Sequence, residues 1–145
     1  MREPDPLHGL RIVAKPAAID AAFEATVRSG AILIRIAPDD AFVIGATDVH
    51  LDDAHAIVEP ESAFVGWWLT AHEVEVFVAP HVEWGLPRPQ SGQTKLAQGL
   101  VAGLPMKLWF ADPTDASADG PHVLLIVSRG LLHEAQARLF GAAHA

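Results

Sequence analysis

The residues best suited to chemistry lie in one short run, Asp48-Val49-His50-Leu51-Asp52-Asp53-Ala54-His55. Imidazole and carboxylate are the ligands that hydrolytic metal sites use, which makes His50, Asp52 and His55 the candidate metal ligands. Their spacing, His-x-Asp-Asp-x-His, matches no established signature such as His-Glu-x-x-His. A complete site would need a further ligand, for which His72 and His81 are available. The competing reading is a solvated loop that turns through its aspartates. His72 and His81 could each act as a general base, with Glu73, Glu75 and Glu83 near in sequence as orienting carboxylates. No Gly-x-Ser-x-Gly nucleophile elbow occurs. Gly99-Leu100-Val101-Ala102-Gly103 lacks both the lysine of a phosphate-binding loop and the third glycine of a dinucleotide site. No residue is singled out as catalytic.

Composition narrows the chemistry further. The 145 residues include no cysteine, which excludes disulfides, thiolate catalysis, iron–sulfur clusters and cysteine-ligated zinc. Half of the chain is apolar and the formal charge is −8, so it reads as globular and not as a nucleic-acid binder. Between Arg35 and Arg88 there is no Lys or Arg, while Asp39, Asp40, Asp48, Asp52, Asp53, Glu59, Glu61, Glu73, Glu75 and Glu83 all fall there. That stretch is either a solvated acidic face or a surface that steers toward a basic partner. The N-terminus lacks the apolar core of a signal peptide, and no apolar run approaches the roughly 20 residues needed to span a bilayer. The expected setting is the cytoplasm, with no membrane contact.

The elements that must carry these residues follow from pattern. Residues 1–8 are expected to be flexible and Leu10 to Ala14 to be a strand. Pro16 opens a helix in which Ile19, Phe23 and Val27 recur every four residues, with Glu24–Arg28 as an i,i+4 pair and Gly30 as the stop. Ala31 to Ile36 is a doubly buried strand, and Ala41 to Ile44 is its hairpin partner after a Pro38-Asp39-Asp40 turn. Ala56 to Val58 is a short strand, Glu59 to Ser62 a turn, and Ala63 to Leu69 a long strand. In the last, Val65, Trp67 and Leu69 share one face and Phe64, Gly66 and Trp68 the other. Thr70-Ala71-His72-Glu73 matches a capping box and favours a helix to about Ala79, although Val74 to Val78 also alternates like a strand. Gln93 to Ala102 fits either a helix or a strand that turns at Gly103 into Met106 to Phe110. Residues 112–121 form a small-polar loop, His122 to Val127 a strand, and Ser128 a cap for a last helix striped by Leu131, Leu132, Ala135 and Leu139. The sum is one α+β domain over residues 1–145, with a largely antiparallel sheet and two or three helices packed on it.

Trp67-Trp68 and Trp109-Phe110 are adjacent aromatic pairs on strands. Neighbouring strand residues point oppositely, so one member of each pair leaves the main core. Aromatic residues anchor protein interfaces, which makes Trp68, Trp109 and Phe110 the candidate partner-interface residues.

Three segments together resemble the small gamma subunit of heterotetrameric sarcosine oxidase, within the aminomethyltransferase-like, folate-binding-domain superfamily. They are Ile36 to Gly45, which resembles a hairpin of that family; Ala102 to Trp109, which resembles its late strand; and Val127-Ser128-Arg129-Gly130-Leu131, which resembles the start of its last helix. The resemblance covers about Leu10 to Phe140 and also favours a strand over 93–102. It implies an aminomethyltransferase folate-binding-domain-like fold and a non-catalytic accessory subunit of a flavin-dependent amine-oxidising complex. It further implies larger protein subunits as partners, with the flavin on those subunits and no cofactor bound by this chain. Folate-using relatives place an acidic residue for the pterin near Val58-Glu59-Pro60, so Glu59 is the candidate contact if a folate-like pocket is retained. The alternatives are a small-molecule binding module, a small metal-dependent enzyme using His50, Asp52 and His55, a homo-oligomer, and an acidic inhibitor acting alone.

Overall fold

The computed structural model describes residues 3–113 and 120–141. The chain forms two compact units, one of Pro6–Ser62 and one of Ala63–Ala145 with the residues through Asp5. Positions 114–119 of the loop expected at 112–121, and the first two residues of the N-terminal segment, lie outside the described residues.

The Pro6–Ser62 unit is built on β1 (Asp5–Val13), α1 (Pro16–Arg28), β2 (Ile32–Ala37) and β3 (Asp40–Ile44), with the first residues of β4 (Ile57–Leu69). The β2–β3 and β1–β3 pairings are antiparallel, running from Ile32↔Ile44 to Ala37↔Asp40 and from Gly9↔Ile44 to Val13↔Asp40. β1 lies between β3 and β4. The strand begins at Asp5 rather than Leu10, and Leu7 is buried. Pro6, His8 and Gly9 carry little intrinsic strand propensity, so pairing and not local preference makes this segment extended. At Gly9 a Cβ would stand 1.8 Å from the Val43 carbonyl oxygen, so only hydrogen fits beneath β3 there.

α1 starts with proline, as expected, but buries a different face. Ala18, Ile19, Ala22 and Thr26 point inward, while Phe23 and Val27 are 37% and 47% exposed. A strict spacing of four drifts by roughly 40° per step on a helix of 3.6 residues per turn, which carries Phe23 and Val27 out of the stripe begun at Ile19. Small residues and Thr26 then let the helix lie close to Leu10, Ile12, Leu33, Ala41 and Val43. The Thr26 hydroxyl donates to the Ala22 carbonyl at 2.8 Å, which satisfies it inside the helix. Arg28 reaches the Glu24 carbonyl oxygen. On the opposite face of β1, Arg11 donates from Nε and Nη2 to the two oxygens of Asp40, each at 2.5 Å, and lies 3.6 Å from Glu61. Bonding to Asp40, with Glu61 beside it, holds the guanidinium proton more tightly than usual.

The second unit orders its strands β4, β7 (Val123–Ser128), β6 (Leu104–Phe110) and β5 (Lys95–Val101), all antiparallel. β4 is one continuous strand, with no turn at 59–62. Pro60 is exposed within it, a position where a missing N–H is tolerated. Val65, Trp67 and Leu69 join Val123, Leu125, Val127, Met106, Leu108 and Phe110 in the core, matching the expected alternation. The capping box is formed: the Glu73 N–H donates to Thr70 Oγ1 at 3.1 Å and the Thr70 N–H to Glu73 Oε1 at 3.0 Å. The expected helix winds as a short α2 (Ala71–Glu73), a π-helical segment (Val74–Val78) and a 3-10 turn (Ala79–His81). Val74 and Val78 face the core, and Pro80 ends regular winding by removing a donor. Residues 95–101 are a strand, joined to β6 by a two-residue turn in which Ala102 and Gly103 both have positive φ, 53° and 80°. After β7, a 3-10 turn (Arg129–Leu131) leads into α3 (Leu132–Leu139), which buries Ala135 and Leu139. Ser128 makes no side-chain cap there, because the chain enters through the 3-10 turn. No helix among the described residues is long and apolar enough to cross a membrane.

Gly9→Ala is expected to lower stability by about 3 kcal/mol or more, since the added methyl overlaps a backbone carbonyl that cannot move without breaking the β1–β3 ladder. Urea unfolding of the variant beside the parent chain checks this.

Candidate functional site

The acidic run of residues 46–53 is positioned by Asp53. One of its carboxylate oxygens accepts the Lys15 N–H at 2.8 Å, and the other accepts the His55 N–H at 2.9 Å. This ties the loop to the start of α1 and closes an Asx-type turn at the same time. The two backbone donors, Lys15 first, hold the Asp53 carboxyl below the usual carboxylate range.

The loop and α1 enclose an open cleft of about 250 Å³. Its floor is Ala18, Ala21, Ala22 and Ala25 with Thr26 and Ser29, and its lip is Ala46, Asp48, Val49, His50 and Asp52. The floor's hydroxyls already have partners: Thr26 donates to Ala22, and Ser29 donates to the Thr26 carbonyl at 2.6 Å. His50 and Asp52 therefore share the cleft, while His55 stands apart from its lining. Among the described residues no group of three His, Asp or Glu side chains is arranged to hold a metal ion. The lip groups face water, where a carboxylate or imidazole can bond a small polar solute but its charge is screened. Glu59 is exposed on β4 and does not line this cleft. His72 is exposed on α2; His81 is exposed and its carbonyl accepts the Ala102 N–H, while Glu73 is held in the capping box.

The aromatic candidates divide in two. Trp68 and Trp109 are both register partners of Leu124, from β4 and β6 on either side of β7. Their rings meet edge to face, with centroids 6.0 Å apart at 84°, and Leu124 is fully buried. Each indole stays half-buried. Phe110 is 4% exposed and belongs to the core beside Val123, so it offers little surface to a partner. Strand alternation sends it inward because Trp109 points the other way. Trp67 packs on Phe140, with centroids 5.3 Å apart, and Phe140 packs on Phe77 at 5.1 Å.

One site has no counterpart in the sequence reasoning. Trp84 lies over Gly99, where a Cβ would come within 2.8 Å of the indole, and its Nε1 donates to the Leu100 carbonyl at 2.9 Å. A tryptophan in a stretch rich in Gly and Pro has no periodicity to assign it. The one available signal was Gly99, a glycine inside a strand pattern, which marks a close approach. No protein-family model matches the chain, and neither does any curated protein or solved structure.

The depressed Asp53 carboxyl gives a signed expectation. Its contribution is present above the unfolded carboxylate range and is lost as the pH falls through the lower folded value. The protection factors of the Lys15 and His55 amides, taken against the intrinsic exchange rate at each pH, should therefore fall on acidification, and Asp53→Ala should show the low protection at neutral pH already. Equal protection in the parent and the variant across the titration would contradict the staple.

Proposed function

We propose that this chain is an accessory subunit of a flavin-dependent amine-oxidising complex, similar in role to the gamma subunit of sarcosine oxidase. What supports the reading is where the three resembling segments fall. Ile36 to Gly45 spans the β2–β3 turn, Ala102 to Trp109 spans the turn into β6 and most of that strand, and Val127 to Leu131 leads into α3. The resemblance implies the order strand, helix, hairpin, short strand, long strand, central helix, hairpin, strand and helix; the chain follows it except that the short and long strands are one continuous β4. In this reading the larger subunit carries the flavin, and the half-buried indoles of Trp68 and Trp109 contribute apolar contact to it.

Native mass measurement of the untagged chain taken from its own host tests the reading. The expected result is an assembly with a larger, flavin-containing protein, and a solitary chain contradicts it. Trp109→Ala should weaken that assembly by about 2 kcal/mol, with circular dichroism of the isolated variant checking that the sheet survives.

A second reading, a small-molecule binding module, draws on the cleft beside α1. Titration calorimetry with reduced folate separates the two, since the accessory-subunit reading expects no heat.

A further inference from the structure

In the Ala63–Ala145 unit, a notch of about 440 Å³ is lined by His81, Glu83, Trp84, Leu100, Ala102 and Gly103. Its aromatic wall is preorganised. The Trp84 Nε1 bond to the Leu100 carbonyl fixes the ring, and Gly99 provides the space in which the ring lies. Leu100 is 57% exposed, more than any other large aliphatic side chain on β5, and it presents an apolar edge beside the indole. Glu83 is the acidic residue among those that line the notch. Arg138 stands at the wall of the notch, where it donates to the Ala102 carbonyl at 2.7 Å and lies beside Gly103, and Glu134, 3.3 Å away, offsets its charge.

We propose that this notch receives an arginine or lysine side chain from a protein partner. An indole, an aliphatic edge and one carboxylate are what a long basic side chain uses: ring and leucine for its stem, ring face and carboxylate for its charge. Charge complementarity selects this occupant over an acidic or purely apolar one. The chain carries −8 overall, and the stretch from Arg35 to Arg88 that holds His81, Glu83 and Trp84 contains acids but no Lys or Arg between its ends. The proposal rests on the accessory-subunit reading for the partner being a protein.

The test titrates the full chain with an acetyl-Gly-Arg-Gly-amide peptide and with its citrulline counterpart, which keeps the shape and removes the charge. The readout is the Trp84 indole N–H resonance, assigned by Trp84→Phe. The expected result is a saturable shift with the arginine peptide, none with the citrulline peptide, and roughly fivefold weaker binding in Glu83→Gln. Equal responses to the two peptides, an unchanged affinity in Glu83→Gln, or a Trp84 resonance that does not move at millimolar peptide overturns it. Native mass of the host complex keeps the two proposals apart. If the parent chain assembles and Glu83→Gln assembles as tightly, the notch is overturned and the subunit reading stands; a parent chain that travels alone overturns the subunit reading.

Discussion

Strand β7 places the strictest demand on its unit, because Val123, Leu124, Leu125, Ile126 and Val127 are all buried, on both faces of the sheet. A strand with no polar alternation cannot leave either face to water. One face is covered by the core that α3 and the Val74–Val78 segment complete, through Val74, Val78, Ala135, Leu139 and Phe140. On the other, Trp68 and Trp109 meet over Leu124. The indoles are thus part of the sheet's own cover before they are anything else. The surface they offer a partner is what remains once Leu124 is enclosed.

The Pro6–Ser62 unit meets the same demand with different means. Its helix packs through Ile19 flanked by alanines and one threonine, and leaves Phe23 and Val27 partly outside. The opposite side of β1 carries an ion cluster, Arg11 with Asp40 and Glu61. A half-buried ion pair of this kind is weak evidence for stability, because desolvation offsets the attraction. Asp53 joins the loop to the helix, and His50 and Asp52 share a cleft with the alanine floor that His55 does not line.

Much of the fold was legible from pattern. Pro16, the capping box at Thr70–Glu73, the apolar run of β2 and the two faces of Ala63–Leu69 each encode their element locally, through φ restriction, side-chain capping or strand alternation. Where structure and pattern differ, the cause is pairing or local geometry. β1 before Leu10 and β4 through Pro60 are extended because neighbouring strands pair with them, and no propensity rule sees a neighbour. Phe23 leaves the inner face because a spacing of four drifts around the helix. Ser128 has the chemistry of a cap, but the 3-10 turn that follows removes the geometry for one.

The candidate sites divide along the same line. The sequence by itself determined the inventory: no thiol, an acidic stretch without a permanent positive charge, one cluster of His and Asp, and paired aromatics of which one member had to leave the core. Those follow from residue type and the two-residue period of a strand. Only tertiary structure decided which groups meet. It put Phe110 inside, placed Trp68 and Trp109 over one leucine, left His55 out of the cleft that His50 and Asp52 line, and brought Trp84 onto Gly99 from fifteen residues away. Contacts between residues distant in sequence depend on how strands register and how closely backbones approach. Neither quantity is a property of any local stretch of chain.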